Sequence, residues 1–171
     1  MARAALEQLD LERMLWMPTG KPRYRDAPVA APEHRLAMLR LALDGEPAAE
    51  LDARELAPGA SGYTIDTLHE LRLELGRETT LVLVIGADQY ETLAAWHRPD
   101  AVKRLARIAV VQRPGFGKKI GKETLRVEME PQAVSGSEIR ARVARGEDIA
   151  ELVPAPVAAY IAEHGVYRLP S

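Results

Sequence analysis

The sequence predicts an α/β protein built on a mostly parallel, doubly wound sheet with helices on both faces. Three observations predict it. Apolar periodicity switches repeatedly between helical and extended spacing, in the order strand, helix, strand, helix. The run "TTLVLVIGADQ" is β-branched and aliphatic without alternation, the pattern of a strand buried on both faces at the centre of a sheet. The stretches that follow the strands carry glycines or basic residues, at the edge where such a sheet binds ligands.

Each element follows in order. "AALEQLDL" sets Ala5, Leu6, Leu9 and Leu11 on one side of a short helix, and "RMLWMP" reads as a buried strand ended by Pro18. After the Pro-rich stretch "PTGKPRYRDAPVAAP", the segment "APEHRLAMLRLALDG" places Pro32 in a first helical turn. Leu36, Leu39, Ala42 and Leu43 form its apolar stripe, and Gly45 is its stop. "AAELDARELA" holds a short strand, and "YTIDTLHELRLELG" is a helix capped by Thr64 and closed by Gly76. The central strand comes next, then the helix "RPDAVKRLA", the buried strand "RIAVVQRPG" and the more polar, edge-like "LRVEMEP". "EDIAELVPAPVAAYIAEHG" closes the chain as a helix interrupted by Pro154 and Pro156. "GFGKKIGKE", with three glycines and three lysines, reads as the most mobile segment.

Composition bounds the chemistry. With 171 residues, 47% of them hydrophobic, the chain suits one domain over residues 1–171. A net charge of -2 argues against a nucleic-acid sheath and for local charges facing a small anion. No cysteine is present, which excludes disulfides, thiolate zinc sites and a cysteine nucleophile. His34, His69, His97 and His164 show no metal-ligand spacing, so no metal site is expected. Neither a leader pattern nor an apolar run of membrane-spanning length occurs, and the expected location is the cytoplasm.

The stretch "AVSGSEIRARVARG" is the sharpest local signal. Helix N-termini expose N–H groups and a partial positive charge, and Ser135, Gly136 and Ser137 leave room for phosphate oxygens to reach them. Arg140 lies one turn beyond Ser137 on the same face, where its planar fork suits phosphate. The same letters also spell a capping box, with Ser135 as N-cap and Glu138 returning a bond. The two readings can coexist.

Taken together, "PTGKP", "GYT", "IGADQYETLAAWH", "RPG", "VSGSEIR" and "LVPAPVAAYIAEHGVYR" resemble, in order and spacing, the bacterial nicotinate-nucleotide adenylyltransferases, over nearly the whole chain. The resemblance implies a Rossmann-like nucleotidylyltransferase fold that moves AMP from ATP onto nicotinate mononucleotide, with Mg2+ accompanying ATP. It implies that Ser135, Ser137 and Arg140 hold the ATP phosphates, with Arg140 as the catalytic charge, and that Gly86 and Asp88 line the adenosine and ribose region. Asp88 also has a plainer reading, as the N-cap of a helix after the strand. Tyr63, Thr64, Trp96 and His97 would form the pyridine pocket, and Lys21 and Arg113 would meet substrate phosphate. Partners other than ATP and nicotinate mononucleotide are not implied: no nucleic acid, no membrane, and homo-oligomerisation left open.

The departures are specific. The family's first strand and G-G-x-F-D-P-x-H-x-G-H motif do not occur in this sequence, so the expected fold lacks its first strand and the domain is expected to be N-terminally incomplete, as in a truncated reading frame. Arg23 and Tyr24 stand where relatives carry P-P-H. Two alternatives therefore accompany the main expectation: another adenylyl- or cytidylyltransferase of the superfamily, or a non-catalytic nucleotide-binding remnant.

Overall fold

The computed structural model describes residues 2–20, 29–112, 120–129 and 135–168. Within them the chain runs α1 (Ala2–Gln8), β1 (Met14–Trp16), α2 (Pro32–Leu43), β2 (Ala49–Leu51), α3 (Thr64–Leu75), β3 (Val82–Gly86), α4 (Ala87–Thr92), α5 (Pro99–Leu105), β4 (Arg107–Val111), β5 (Leu125–Val127), α6 (Gly136–Ala144) and α7 (Ala155–His164). Single 3-10 turns occupy Arg54–Leu56 and Leu93–Ala95.

All described strand pairs are parallel, so each pair is joined by a crossover connection rather than a hairpin turn. They form two sheets, β1-β2 and β3-β4-β5, rather than the single expected one. The register aligns Gly86 with Val111 and Val111 with Val127, so the three strands of the larger sheet end at one common edge. Here the expected centre shifts by one strand. β3 is only half-buried along most of its length, whereas four of the five residues of β4 are buried. The reason is pairing: β4 is flanked on both sides, while β3 has β4 as its one partner among the described strands. Among the described strands β5 too lies at an edge, as its polar sequence implied. Its far end is met by a side chain, since Gln8 of α1 donates to Glu128 O at 2.6 Å and accepts from Glu128 N at 2.8 Å.

Alternation along β4 sends its side chains to two cores. Ile108 and Val110 join Ile85, Ile65 and Leu68 of α3, Leu93, and Ala101 and Val102 of α5. Ala109 and Val111 pack with Val127 and with Ala5 of α1, whose methyl group lets the helix lie close on the sheet. A third cluster, under α2, α6 and α7, contains Val143, Ile149, Val157 and Ile161. Each fully buried aliphatic side chain contributes about 1.5–3 kcal/mol relative to exposure.

Three further differences lie in the helices. Tyr63, not Thr64, is the N-cap of α3, and its side chain makes no capping bond; Gly76 closes the helix at φ 79° as expected. On α2 the expected stripe is shifted: Ala42 is exposed, and Met38 and Leu41 pack into the third cluster. Pro154 and Pro156 begin α7 rather than interrupt it, because a first helical turn has no partner for the missing N–H and accepts proline. After β1 the chain passes under the Arg54–Leu56 turn so closely that a Cβ on Gly20 would lie 2.0 Å from Glu55 O, so only glycine fits.

Candidate functional site

The common carboxyl edge of β3, β4 and β5 is where a parallel sheet meets its ligands. At that edge β3 runs directly into α4. Gly86 is the N-cap, with φ -72° and ψ 157°, and Asp88 is the second residue of the helix. Asp88 is therefore not a capping residue. Its carboxylate sits in the first turn, where the helix field favours it.

From α4 the chain passes through the Leu93–Ala95 turn to Trp96 and His97. Trp96 is half-buried against the core that holds Ile85, Ala87 and Leu93, and its Nε1 donates to Thr92 Oγ1 at 3.4 Å. His97 is exposed and lies over Tyr63, with ring centroids 4.4 Å apart and planes at 33°. Tyr63 packs on the same core as Trp96. Thr64 is the first residue of α3, and no side chain caps that end, the arrangement in which first-turn N–H groups are left for water or a ligand. Of the residues expected in one pocket, Tyr63 and Trp96 pack on one core, and His97 joins them through its contact with the Tyr63 ring.

The second group is built within α6. Ser135 Oγ accepts from Glu138 N at 3.1 Å, the first half of the capping box. The returning half is not made. Glu138 instead accepts from Arg142 Nε at 3.1 Å and lies 3.6 Å from Arg145, which is itself held by Glu147. That ion pair with Glu147 holds the Arg145 guanidinium above its usual range and the Glu147 carboxyl below its own. Arg140 behaves differently. Its Nη2 donates to Ser137 Oγ at 2.9 Å, and its Nη1 lies 3.4 Å from where a Cβ on Gly136 would be. The guanidinium is folded back over the small residues at the helix start and, among the described residues, makes no ion pair with a carboxylate.

One neighbour of Arg140 escaped the sequence reading. The charges of Arg140 and of Arg35, on α2, both act on the half-buried Tyr167. Burial pushes that phenol above its ordinary pKa, and the two arginines oppose the push. Arg35 donates to Thr19 O at 2.5 Å and to Ala30 O at 3.2 Å. The available signal was helical spacing, which places an arginine one turn before Met38 on a face that packs inward.

The expected residues therefore fall into two groups, Gly86, Asp88, Tyr63, Thr64, Trp96 and His97 on one side and Ser135, Ser137 and Arg140 on the other. Lys21, Arg113 and most of "GFGKKIGKE" lie outside the described residues. Among the described residues no three acidic or histidine side chains converge as metal ligands, and no helix is long and apolar enough to cross a membrane.

Comparison with known proteins places this arrangement. The family described as cytidylyltransferase-like matches residues 1–142. A relative from Pseudomonas putida (strain W619), named "Probable nicotinate-nucleotide adenylyltransferase", is 37% identical over 99% of this chain and 89% of its own length. One of the same name from Bordetella petrii is 36% identical over 98% of this chain and 90% of its own. Among solved structures, the Plasmodium falciparum nicotinic acid mononucleotide adenylyltransferase complexed with NaAD superposes with a TM-score of 0.71 at 16% identity, over 96% of this chain and 90% of that one, and so shares its fold. More than a third of positions match these bacterial relatives along almost the whole sequence, and on that ground the chain belongs to the nicotinate-nucleotide adenylyltransferase family.

Proposed function

We propose that this protein transfers AMP from ATP to nicotinate mononucleotide, giving deamido-NAD and pyrophosphate, a step of NAD biosynthesis in the cytoplasm. An oxygen of the mononucleotide phosphate forms a bond to the α-phosphorus of ATP, and the bond from that phosphorus to the β-bridging oxygen breaks, with pyrophosphate leaving in line. Such a reaction needs positioning and neutralisation of growing negative charge more than a protein nucleophile. Mg2+ enters as part of the nucleotide substrate, held on the ATP phosphates, and neutralises part of their charge.

The chain's own residues divide the work. Arg140, held over Gly136 by the Ser137 hydroxyl, faces the polyphosphate with a charge that no carboxylate among the described residues pairs, and the N–H groups of the α6 first turn add donors beside it. Gly86 lets the adenosine approach the backbone, and Asp88 meets the ribose hydroxyls. Tyr63, Trp96 and His97 wall the pyridine ring, while the start of α3 at Thr64 offers N–H donors to its carboxylate. Lys21 and Arg113 supply further charge to the substrate phosphate. The arrangement of Arg140 carries this reading, because the other two arginines of α6 and its C-cap, Arg142 and Arg145, are spent on Glu138 and Glu147.

The test is pyrophosphate release from ATP in the presence of nicotinate mononucleotide, run beside cytidine triphosphate and beside phosphopantetheine as acceptor. Adenylyl transfer to the pyridine nucleotide is expected to exceed the other combinations by about ten-thousand-fold or more, the scale on which a site that hydrogen-bonds its substrate rejects one lacking the partner group. Equal rates with another acceptor would move the activity to a different branch of the superfamily.

A further inference from the structure

The turn that carries His97 is strained in a way the reaction chemistry does not require. Arg98, the N-cap of α5, has φ 53° and ψ 56°. This left-handed conformation crowds any side chain, and Pro99 after it pushes the preceding residue toward extended backbone instead. Such a conformation persists where the surroundings over-determine it. They do so here from both sides. Upstream, the 3-10 turn is pinned by Leu93, 2% exposed, whose carbonyl accepts from Trp96 N at 3.1 Å. Downstream, Arg98 O accepts from Ala101 N at 3.0 Å and Val102 N at 3.2 Å, and both of these residues are buried in the core shared with α3. Three residues, Trp96, His97 and Arg98, bend the chain between those anchors. His97 is the middle residue of the bend, its ring 4.4 Å from that of Tyr63, which is itself the N-cap of α3.

We propose that Arg98 is a positioning residue for the pyridine pocket, acting through its left-handed backbone and not through its guanidinium, by turning His97 onto Tyr63 so that the two rings form one wall. The proposal rests on the reading of Tyr63, Trp96 and His97 as that pocket. An extended residue at 98 would straighten the bend between the two anchors and aim His97 away from α3. Glycine and asparagine, which take the left-handed region readily, would keep the wall without the arginine side chain.

The experiment compares Arg98→Gly, Arg98→Asn, Arg98→Ala and Arg98→Val in the full chain. Two readouts are used: the NMR shifts of the His97 ring protons, assigned with His97→Gln, and calorimetric binding of nicotinate mononucleotide and of ATP. In the unmodified chain the His97 protons are expected to show the Tyr63 ring-current shift, and Tyr63→Leu to abolish it. Gly and Asn are expected to retain that shift and to bind the mononucleotide within about two-fold of the parent, whereas Val loses the shift and binds about ten-fold more weakly, with ATP affinity unchanged. Ala falls between and serves if Val does not fold. Loss of both signals in the Gly variant would transfer the effect to the guanidinium and overturn the proposal, as would full retention in Val and Ala. If Trp96→Ala and Tyr63→Ala leave mononucleotide binding intact, the pocket reading fails, while the ring-proton shifts still decide what Arg98 does.

Discussion

The two groups of the candidate site are built by opposite means. The α6 group is local: Ser135, Gly136, Ser137 and Arg140 meet within one helical turn, joined by the Ser135–Glu138 cap and the Arg140–Ser137 bond. The pyridine group is tertiary. Tyr63 opens α3, His97 follows α4, and they meet because α3 and α5 share the core of Leu68, Ala101 and Val102. A local motif survives damage elsewhere in the fold, whereas a tertiary one moves whenever its supporting core moves. The difference predicts that mutations in the sheet core will separate the two halves of substrate binding.

The largest effect expected is Leu93→Ala. Leu93 is 2% exposed and its carbonyl holds Trp96 N, so truncation removes core and loosens the turn below His97. The cost to stability is about 2–5 kcal/mol. In urea-titrated protein that remains folded, mononucleotide affinity should fall while ATP affinity holds. Equal losses of both would mean that the two groups are not mechanically separate.

Next comes Arg140→Ala, with turnover expected to fall roughly ten- to thousand-fold at saturating ATP and with circular dichroism unchanged. Arg142→Ala and Arg145→Ala provide the contrast. Their guanidiniums are engaged by Glu138 and Glu147 at exposed positions, and turnover should stay within about three-fold, since exposed ion pairs contribute little. Similar losses in all three would reduce Arg140 to one member of a general basic surface.

Substrate choice probes the other group. A carboxylate accepting N–H bonds at the start of α3 gains charge-assisted bonds that a neutral amide, with its own NH2, does not replace. Nicotinate mononucleotide should therefore exceed the nicotinamide form in kcat/KM by about ten-fold or more, each lost bond of this kind being worth a factor of that order. Equal values would defeat the pocket while leaving adenylyl transfer intact.

The same contrast explains what could be read from the letters. The α6 arrangement was legible because helical spacing alone puts Arg140 beside Ser137. The strands and their parallel order were legible too, since aliphatic runs separated by helical periods leave few alternatives. Burial rank was not. "LVLVIG" looks more central than "RIAVV", yet burial depends on who pairs with whom, and β4 has two neighbours where β3 has one among the described strands. The missing return bond of the capping box has a similar origin: Glu138 had a better partner in Arg142, a guanidinium one turn on. Arg35 was hidden because its carbonyl partners, Thr19 and Ala30, come from the stretch after β1 and from the residue before the N-cap of its own helix.

Ser135→Ala sharpens the local side. Removing the N-cap oxygen leaves Glu138 N without its acceptor, at a cost of about 0.5–2 kcal/mol in a urea melt. Mononucleotide affinity should not change. If it does, the local group reaches further than its hydrogen bonds indicate.

The smallest effect expected lies at alkaline pH, where two tyrosines pull in opposite directions. Burial raises Tyr167 above its ordinary value, with Arg140 and Arg35 opposing. Its folded form therefore holds the proton more tightly than the unfolded chain, and its contribution to stability, fully present below a pH of about 10, is lost as pH rises from there through the folded pKa. Tyr90 is the reverse. Its oxygen is hydrogen-bonded to Thr124 Oγ1 at 3.1 Å and accepts from Gly121 N at 3.1 Å, which holds it below the ordinary value, so its contribution grows as pH passes upward through that range and is lost on the way down. The parent protein shows the difference of the two slopes. Tyr167→Phe should remove the alkaline loss and expose the Tyr90 gain, and Tyr90→Phe should do the converse, read as urea midpoints between pH 8 and about pH 11. Arg140→Ala then links this measurement to the site. With one opposing charge gone, the Tyr167 phenol should rise further, and the alkaline loss, still beginning near a pH of about 10, should deepen and extend to higher pH without changing at neutrality. A profile insensitive to Arg140 would separate the α6 group electrically from the α2 and α7 cluster beside it, leaving its arginine to act on the nucleotide alone.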